Sequence, residues 1–203
     1  MLAVRLTEAE LSERLNGELS IAAINGPQLC VVSGPTAAVE ELHQKLQAEE
    51  IVCRSLHTSH AFHSAMMDPV VAPFAQLLRS VQLAPPQIPI ISTVTGQLLS
   101  ESQATDPDYW AHHLRETVRF TDAAATVLAN PDSVLLEVGP GQTLSTLARQ
   151  HPVRDSEQAV LSTLPHAKQQ VSPREHLLLA VGRLWQAGVD VDWNGHFRLQ
   201  QRR

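Results

Sequence analysis

The fold is decided by residues 19–34, which read LSIAAINGPQLCVVSG. Two runs of β-branched and other apolar residues, LSIAAI and LCVVS, flank the stretch Asn25-Gly26-Pro27-Gln28. Asparagine, glycine and proline are residues that turns prefer, because each tolerates or presets the backbone angles that a turn needs. The stretch therefore predicts two neighbouring strands joined by a turn.

A helix and a further strand are predicted on each side of this pair. The helix before it begins at a capping box, in which Thr7 is followed three residues later by Glu10. The helix after it carries its apolar side chains on one stripe: Val39, Leu42 and Leu46. Short apolar runs, MLAVRL and IVCRSL, stand at the outer ends. The order β-α-β-β-α-β is that of the split βαβ, or ferredoxin-like, unit, and it is complete in residues 1–56.

The rest of the chain alternates short strands with helices, which predicts a partly parallel α/β layer. The stretch HAFHSAMMDPVVAPFAQLL is typical of a loop entering a helix, and IISTVTGQLL predicts a strand with a turn. An apolar strand leads through Gly139-Pro140-Gly141 into a helix, and AVLSTL predicts one more buried strand. We divide the chain into residues 1–56, residues 57–165, and a terminal helix with a linker in residues 166–203.

Composition and charge exclude several classes of function. The 203 residues include 15 basic and 21 acidic side chains, a net charge of −6, which argues against a nucleic-acid partner. Two cysteines cannot form a disulfide framework, so we expect a reducing, cytoplasmic setting. A bilayer-spanning helix needs about 20 apolar residues, and no run approaches that length, so no membrane partner is expected.

The richest chemistry lies in residues 57–64, HTSHAFHS, where His57, His60 and His63 stand three residues apart. Imidazoles bind zinc, but residues at this spacing drift around a helix and no carboxylate or cysteine follows nearby, so we predict no metal site. Two interpretations stay open on the residues alone. The histidines are half-buried polar residues at a domain seam, or one of them is a catalytic base facing a cleft.

Six stretches together resemble the acyltransferase domains of modular type I polyketide synthases, relatives of the malonyl-CoA–acyl carrier protein transacylases. The first is the opening MLAV. The other five are LSIAAINGP with VVSGP, SHAFHS, YW…HLRETVRF, LLEVGPGQTLS and LWQAGVDVDW, and all six follow the family's order. The resemblance covers nearly the whole chain. It implies an α/β fold in which a ferredoxin-like βαββαβ small subdomain is followed by the C-terminal part of an α/β-hydrolase-like large subdomain.

The resemblance implies transfer of malonyl units from malonyl-CoA to an acyl carrier protein by a Ser-His ping-pong mechanism. It places the histidine base at His63 and its orienting backbone carbonyl at His113. Phe62 matches the malonyl-selecting form of the motif, because a bulky ring leaves no room for an α-methyl group. His60 and Asn25 are candidates for the substrate-pocket wall, with structural packing as the alternative. No cofactor is expected, since the phosphopantetheine belongs to the carrier protein.

The sequence departs from the family pattern in one respect: it contains no G-x-S-x-G, the stretch that would carry the nucleophilic serine. The chain therefore looks like the C-terminal portion of an acyltransferase, and we expect it to transfer no malonyl group alone. A second interpretation is a non-catalytic interaction module that docks on a ketosynthase or on an N-terminal half. A third, a small-molecule-binding regulatory domain, explains residues 1–56 only.

Two further features have a structural and a functional interpretation. Gly139-Pro140-Gly141 lies where an anion could bind a helix N-terminus, but proline removes a donor, and we interpret Glu137 beside it as a hydrogen-bonding anchor. The end of the chain, REHLLLAVGRLWQAGVDVDW, resembles the helix and linker that run back over the neighbouring ketosynthase. Four apolar residues would then contact that partner or else pack on the chain's own sheet: Trp185, Val189, Val191 and Trp193.

Overall fold

The computed structural model describes residues 1–198, without the side chain of His196. The described chain falls into two compact units, of which the first is Met1–Val127 and the second begins at Leu128. Both units mix helices with short strands, so the chain has the α/β character expected from the sequence.

The first unit opens with a four-stranded sheet and two helices. The strands are β1 (Leu2–Val4), β2 (Ser20–Gly26), β3 (Leu29–Ser33) and β4 (Cys53–Ser55). The helices are α1 (Glu8–Ser12), which begins at the Thr7–Glu10 capping box, and α2 (Thr36–Ala48). All pairings are antiparallel and the strand order is β2-β3-β1-β4. The predicted β-α-β-β-α-β order is confirmed.

A single apolar core lies between this sheet and its helices. Leu2, Val4 and Val32 are fully buried on the strands, and Leu11 of α1 is buried with them. The α2 stripe is buried as the sequence predicts: Val39, Leu42 and Leu46. Burying each such side chain contributes about 1.5–3 kcal/mol relative to leaving it in water, so this face fixes the helix on the sheet.

The remainder of the first unit is helical and is joined to the sheet through β2. A 3₁₀ helix (Ala65–Met67) is followed by α3 (Asp68–Leu78), α4 (Glu101–Ala104), α5 (Pro107–His112) and α6 (Phe120–Leu128), the last ending just beyond the unit boundary. Val118, just before α6, lies beside β2: its carbonyl accepts from the Ile24 N–H at 2.8 Å, and its own N–H donates to the Ala22 carbonyl at 2.9 Å.

The strand predicted for IISTVTGQLL is wrong. Only a single bridge, between Ile91 and Leu98, forms there. The buried Ser92 hydroxyl accepts the N–H groups of Val94 and Thr95, so its side chain takes the backbone donors that a strand ladder would need. The chain turns at this point instead of extending.

The second unit contains two parallel strands, β5 (Leu135–Glu137) and β6 (Val160–Ser162). Its helices are α7 (Thr143–Arg149), α8 (Pro173–Gln186) and α9 (Trp193–Phe197). The predicted strand, Gly-Pro-Gly turn and helix are confirmed, as is the terminal helix. Two of the expected contact residues at the end of the chain meet each other, since the ring centroids of Trp185 and Trp193 are 6.4 Å apart.

Within residues 1–198, no helix combines the length and the apolar character needed to cross a bilayer.

Candidate active site

The loop that carries the histidines joins β4 to the 3₁₀ helix, and its C-terminal end is firmly held. Ser64 is fully buried; its hydroxyl donates to the Ala61 carbonyl at 2.6 Å and accepts from the Met66 N–H at 3.3 Å. Immediately beyond, Asp68 forms an ion pair with Arg115 at 2.9 Å. The loop therefore enters the helix at one defined position, one residue after His63.

His63 lies partly buried between this loop and the segment after α5. Its backbone has a φ of 58°, in the left-handed region that non-glycine residues rarely adopt. Its N–H donates to the Leu114 carbonyl at 3.1 Å, and its ring Nδ1 lies 2.8 Å from the Glu116 carbonyl. A carbonyl only accepts, so Nδ1 carries the proton and the neutral ring keeps an acceptor lone pair on Nε2. That is the tautomer a general base needs.

The orienting carbonyl is that of Glu116, which corrects the prediction of His113. After α5 ends at His112, the chain makes one more turn, because the N–H groups of Arg115 and Glu116 both donate to the His112 carbonyl. This turn brings the carbonyls of Leu114 and Glu116, and not that of His113, to the histidine loop. Sequence letters carry no signal for this, since every residue has a carbonyl.

The His113 side chain takes a different part in the site. Its Nε2 lies 3.1 Å from the Thr93 hydroxyl, and its ring packs against Trp110 with centroids 6.2 Å apart. Burial lowers the pKa of His113, and repulsion from the neighbouring His63 ring in its protonated form lowers it further. The imidazole of His113 is therefore held neutral beside His63.

Phe62 and His60 lie next to His63 on the same loop. The Phe62 side chain is 39% exposed, and its ring lies 5.8 Å from that of His60, which also meets the Ser59 hydroxyl at 3.0 Å. Asn25 is on a different element, partly buried near the end of β2. The structure thus brings Phe62, His60 and His63 together, while no hydrogen bond links Asn25 to His63 in the described part of the chain.

Two other features lie in the second unit. The Glu137 carboxylate accepts the N–H groups of Ser145 at 2.8 Å and Leu144 at 3.2 Å, which confirms it as a hydrogen-bonding anchor. Partial burial alone would raise the pKa of Glu137, but these hydrogen bonds hold it below the usual range.

A cavity of about 540 Å³ in the second unit is lined by side chains that include Arg149, His176 and Arg183. No predicted site residue lines it.

Among the residues that the structure describes, no three histidine, cysteine, aspartate or glutamate side chains come together as a metal ion would need.

The sequence matches the family described as acyl transferase domain over residues 1–191. It is 38% identical over 193 residues to one of the phenolphthiocerol/phthiocerol polyketide synthase subunits of Mycobacterium tuberculosis (strain CDC 1551 / Oshkosh), a match covering 95% of this chain and 13% of that protein. It is 35% identical over 200 residues to polyketide synthase GfsA of Streptomyces halstedii, covering 97% of this chain and 3% of that protein.

Solved acyl transferase domains have the same fold. The domain of SpnD, solved in complex with 2-(pent-4-yn-1-yl)malonyl, matches with a TM-score of 0.88 and 39% identity over 93% of this chain and 46% of that one. The domain of ZmaA matches with a TM-score of 0.88 and 31% identity over 100% of this chain and 47% of that one. The chain therefore spans less than half of these solved domains and a small part of the polyketide synthases.

Proposed function

The chain belongs to the acyl transferase domain family of polyketide synthases, and on that premise we propose that it takes part in loading malonyl units from malonyl-CoA onto an acyl carrier protein. Its own contribution is the base, His63, together with the pocket wall around Phe62. The hydrogen bond from His63 Nδ1 to the Glu116 carbonyl carries this proposal, because it leaves Nε2 as a proton acceptor.

The proposed reaction has two half-steps. In the first, a serine hydroxyl gives its proton to His63 Nε2 and attacks the thioester carbon; the carbon–sulfur bond breaks and coenzyme A leaves with the proton from His63. In the second, the carrier's phosphopantetheine thiol gives its proton to Nε2 and attacks the carbonyl carbon of the acyl-serine ester; the ester carbon–oxygen bond breaks, and the serine oxygen takes the proton from His63. One imidazole takes up and returns the proton in both half-steps.

The nucleophile comes from a segment outside residues 1–203, since these contain no G-x-S-x-G. We therefore propose that the 203-residue chain alone forms no acyl-enzyme. The site requires no cofactor bound to the chain in this account, because the phosphopantetheine is the carrier's. The cytoplasm is the location we propose.

Malonyl selection is proposed to rest on Phe62. Its ring borders the base on the loop, next to His60, and a ring at that place fills the volume that an α-methyl group would occupy. One methylene in an apolar pocket is worth about 1–3 kcal/mol, so the discrimination is real but not absolute. SpnD, 39% identical, was solved with a substituted malonyl group, which supports a malonyl-class substrate.

A second candidate function, an interaction module, is favoured by the exposed apolar side chains of α8. Leu177, Leu178, Leu179 and Trp185 are between 40% and 59% exposed. A helix with such a surface fits a chain that packs on a ketosynthase domain or on the N-terminal half of an acyltransferase. The two functions make different predictions for His63. The enzyme needs this residue to transfer the acyl group, whereas an interaction module does not need it to dock.

The test is a loading assay with a joined protein, in which this chain replaces the matching segment of the SpnD acyl transferase domain. Radiolabelled malonyl-CoA and an acyl carrier protein are supplied to the joined protein and to the 203-residue chain alone. We expect labelled carrier with the joined protein and no labelled protein with the chain alone. A folded joined protein that loads nothing favours the interaction module, and a stable acyl-enzyme on the chain alone contradicts the proposed division of roles.

A further inference from the structure

Two carbonyls of one short segment determine where the His63 ring points. Leu114 accepts the His63 N–H at 3.1 Å, and Glu116 accepts Nδ1–H at 2.8 Å. The left-handed backbone of His63, with its φ of 58°, is uncommon for a residue with a side chain and persists only where surrounding contacts impose it. A small displacement of residues 114–116 would therefore move both the backbone and the ring of His63.

Thr93 is hydrogen-bonded to residues on both sides of segment 114–116. Its hydroxyl meets His113 Nε2 at 3.1 Å, immediately before the two accepting carbonyls. Its backbone carbonyl accepts the Arg119 N–H at 2.6 Å, three residues after Glu116. Thr93 is itself fixed, because its neighbour Ser92 is buried and hydrogen-bonded to the Tyr109 hydroxyl.

We propose that Thr93 is a positioning residue for the His63 base, acting through His113 on the carbonyls of Leu114 and Glu116. The proposal rests on the proposed function only in treating His63 as the base. Thr93 touches no reacting atom; its hydroxyl sets the place of the segment, and the segment sets the tautomer and direction of the His63 ring.

The charged groups around His113 are consistent with a neutral His113 ring as the hydrogen-bond partner of Thr93. His63 is the titratable group that acts on it, while Glu116, the next acid along the segment, is exposed. The nearby arginines are already paired: Arg115 with Asp68 at 2.9 Å, and Arg119 with both Glu8 and Asp122, at 3.1 and 3.2 Å. The acids that pair with these arginines, Asp68, Glu8 and Asp122, are thus engaged, and burial keeps His113 neutral, so the Thr93 bond is made to a neutral imidazole.

The test is nitrogen NMR of the histidine rings in the ¹⁵N-labelled 203-residue chain, with His63 assigned from His63→Gln. The variants are Thr93→Val, which removes the hydroxyl at nearly constant shape, and Thr93→Ser, which restores it. Thr95→Val is the matched control in the same turn, because Thr95 is exposed and, within residues 1–198, its hydroxyl is hydrogen-bonded to the Gln97 N–H alone. Melting temperatures are measured for every variant.

We expect neutral His63 to be protonated on Nδ1 in the natural chain, in Thr93→Ser and in Thr95→Val. In folded Thr93→Val, the share protonated on Nε2 rises several-fold. An unchanged tautomer ratio in folded Thr93→Val overturns the proposal. If that variant does not fold, His113→Phe removes the same hydrogen bond from the other side and is judged by the same two outcomes. Since the readout needs no transfer, failure of the loading assay leaves this test intact.

Discussion

The proposed base, His63, has an unusual backbone conformation. His63 has a φ of 58° and follows the exposed Phe62, while the next residue, Ser64, is fully buried. Residues held in sparsely populated conformations cost about 1–3 kcal/mol and persist where the surrounding contacts impose them. Here the contacts are the carbonyls of Leu114 and Glu116, which leave Nε2 as the acceptor.

Phe62 yields a prediction about substrate choice. In the joined protein, Phe62→Ser opens space beside the base, so methylmalonyl loading should rise relative to malonyl loading by about 10-fold or more. Competition between the two acyl-CoA substrates, with the loaded carrier weighed by mass spectrometry, measures the ratio. Phe62→Tyr keeps the bulk and should keep the natural ratio. An unchanged ratio in Phe62→Ser would show that the ring does not border the acyl pocket.

His113 yields a prediction about acid stability. Burial, and then repulsion from His63 in its protonated form, lower the pKa of His113 in the folded chain, while the unfolded chain has the ordinary value near 6.5. Below that value the unfolded state binds the proton first, so the free energy of unfolding should fall as pH drops from 7 to 5. Urea unfolding of His113→Gln should show a shallower fall over this range. The exposed neighbour variant His112→Gln is the control, and equal slopes in His113→Gln and the natural chain would contradict the account.

The two cysteines should differ in reactivity. Cys30 is fully buried, and burial, reinforced by the charge of Glu8, raises the pKa of its thiol to about 11. Cys53 is only partly buried, and its pKa is raised as well. Because the thiolate is the nucleophile, iodoacetamide at pH 8 should modify Cys30 more than about tenfold slower than Cys53 in the folded chain. Peptide mass spectrometry over time measures both rates, and equal rates without urea would contradict the burial of Cys30.

For single residues, the sequence indicates candidate side chains better than it indicates which backbone groups take part in the site. His63, Phe62 and His60, the proposed site residues, could be singled out because they lie within one short motif and their proposed roles belong to their side chains. Glu116 could not, since its part is played by a carbonyl whose position depends on the turn after α5. Thr93 was missed for a related reason: it meets His113 across 20 residues of chain, a contact that no local pattern encodes.

Among the elements, α2 shows how a periodic pattern fixes packing. Its buried stripe includes Leu42, at 5% exposure, while Lys45 on the same helix is exposed and paired with Glu41 at 2.6 Å. Leu42→Ala should lower the free energy of unfolding by about 2–5 kcal/mol, because it leaves a cavity in the core. Lys45→Ala should change it by about 0.5 kcal/mol or less, since exposed pairs contribute little. Urea unfolding compares them, and similar losses in both would mean that α2 is not packed as described.

The helices and strands that could be predicted are those whose sequence pattern lies within a few neighbouring residues. The βαββαβ order follows from a capping box, a helical stripe and a turn, each contained in a few residues. The stretch around Ile91 was misjudged because its apolar residues suggest a strand, whereas the side chain of Ser92 competes for the backbone donors. The parallel pairing of β5 with β6 brings together segments about 25 residues apart, so the strands were predictable and their partnership was not.

For the whole molecule, exposed apolar surface is the main feature. Large apolar side chains remain in contact with solvent in each of the two units, and they include Val138 at 80%, Ile88 at 78%, Leu77 at 61% and Trp185 at 59%. The proposed interaction module rests on part of this surface, the apolar side chains of α8. It agrees with a chain that spans less than half of the solved acyl transferase domains it matches.

The most direct measurement of the central claim compares histidines of the joined protein in single-turnover malonyl loading. His63→Gln removes the base, and His57→Gln changes an exposed histidine six residues earlier in the same loop. We predict that His63→Gln slows transfer by about 10²–10⁴-fold, the usual contribution of a general base, while His57→Gln stays within a few-fold of the unaltered joined protein. A folded His63→Gln protein that loads the carrier at the unaltered rate would contradict the claim that His63 is the base.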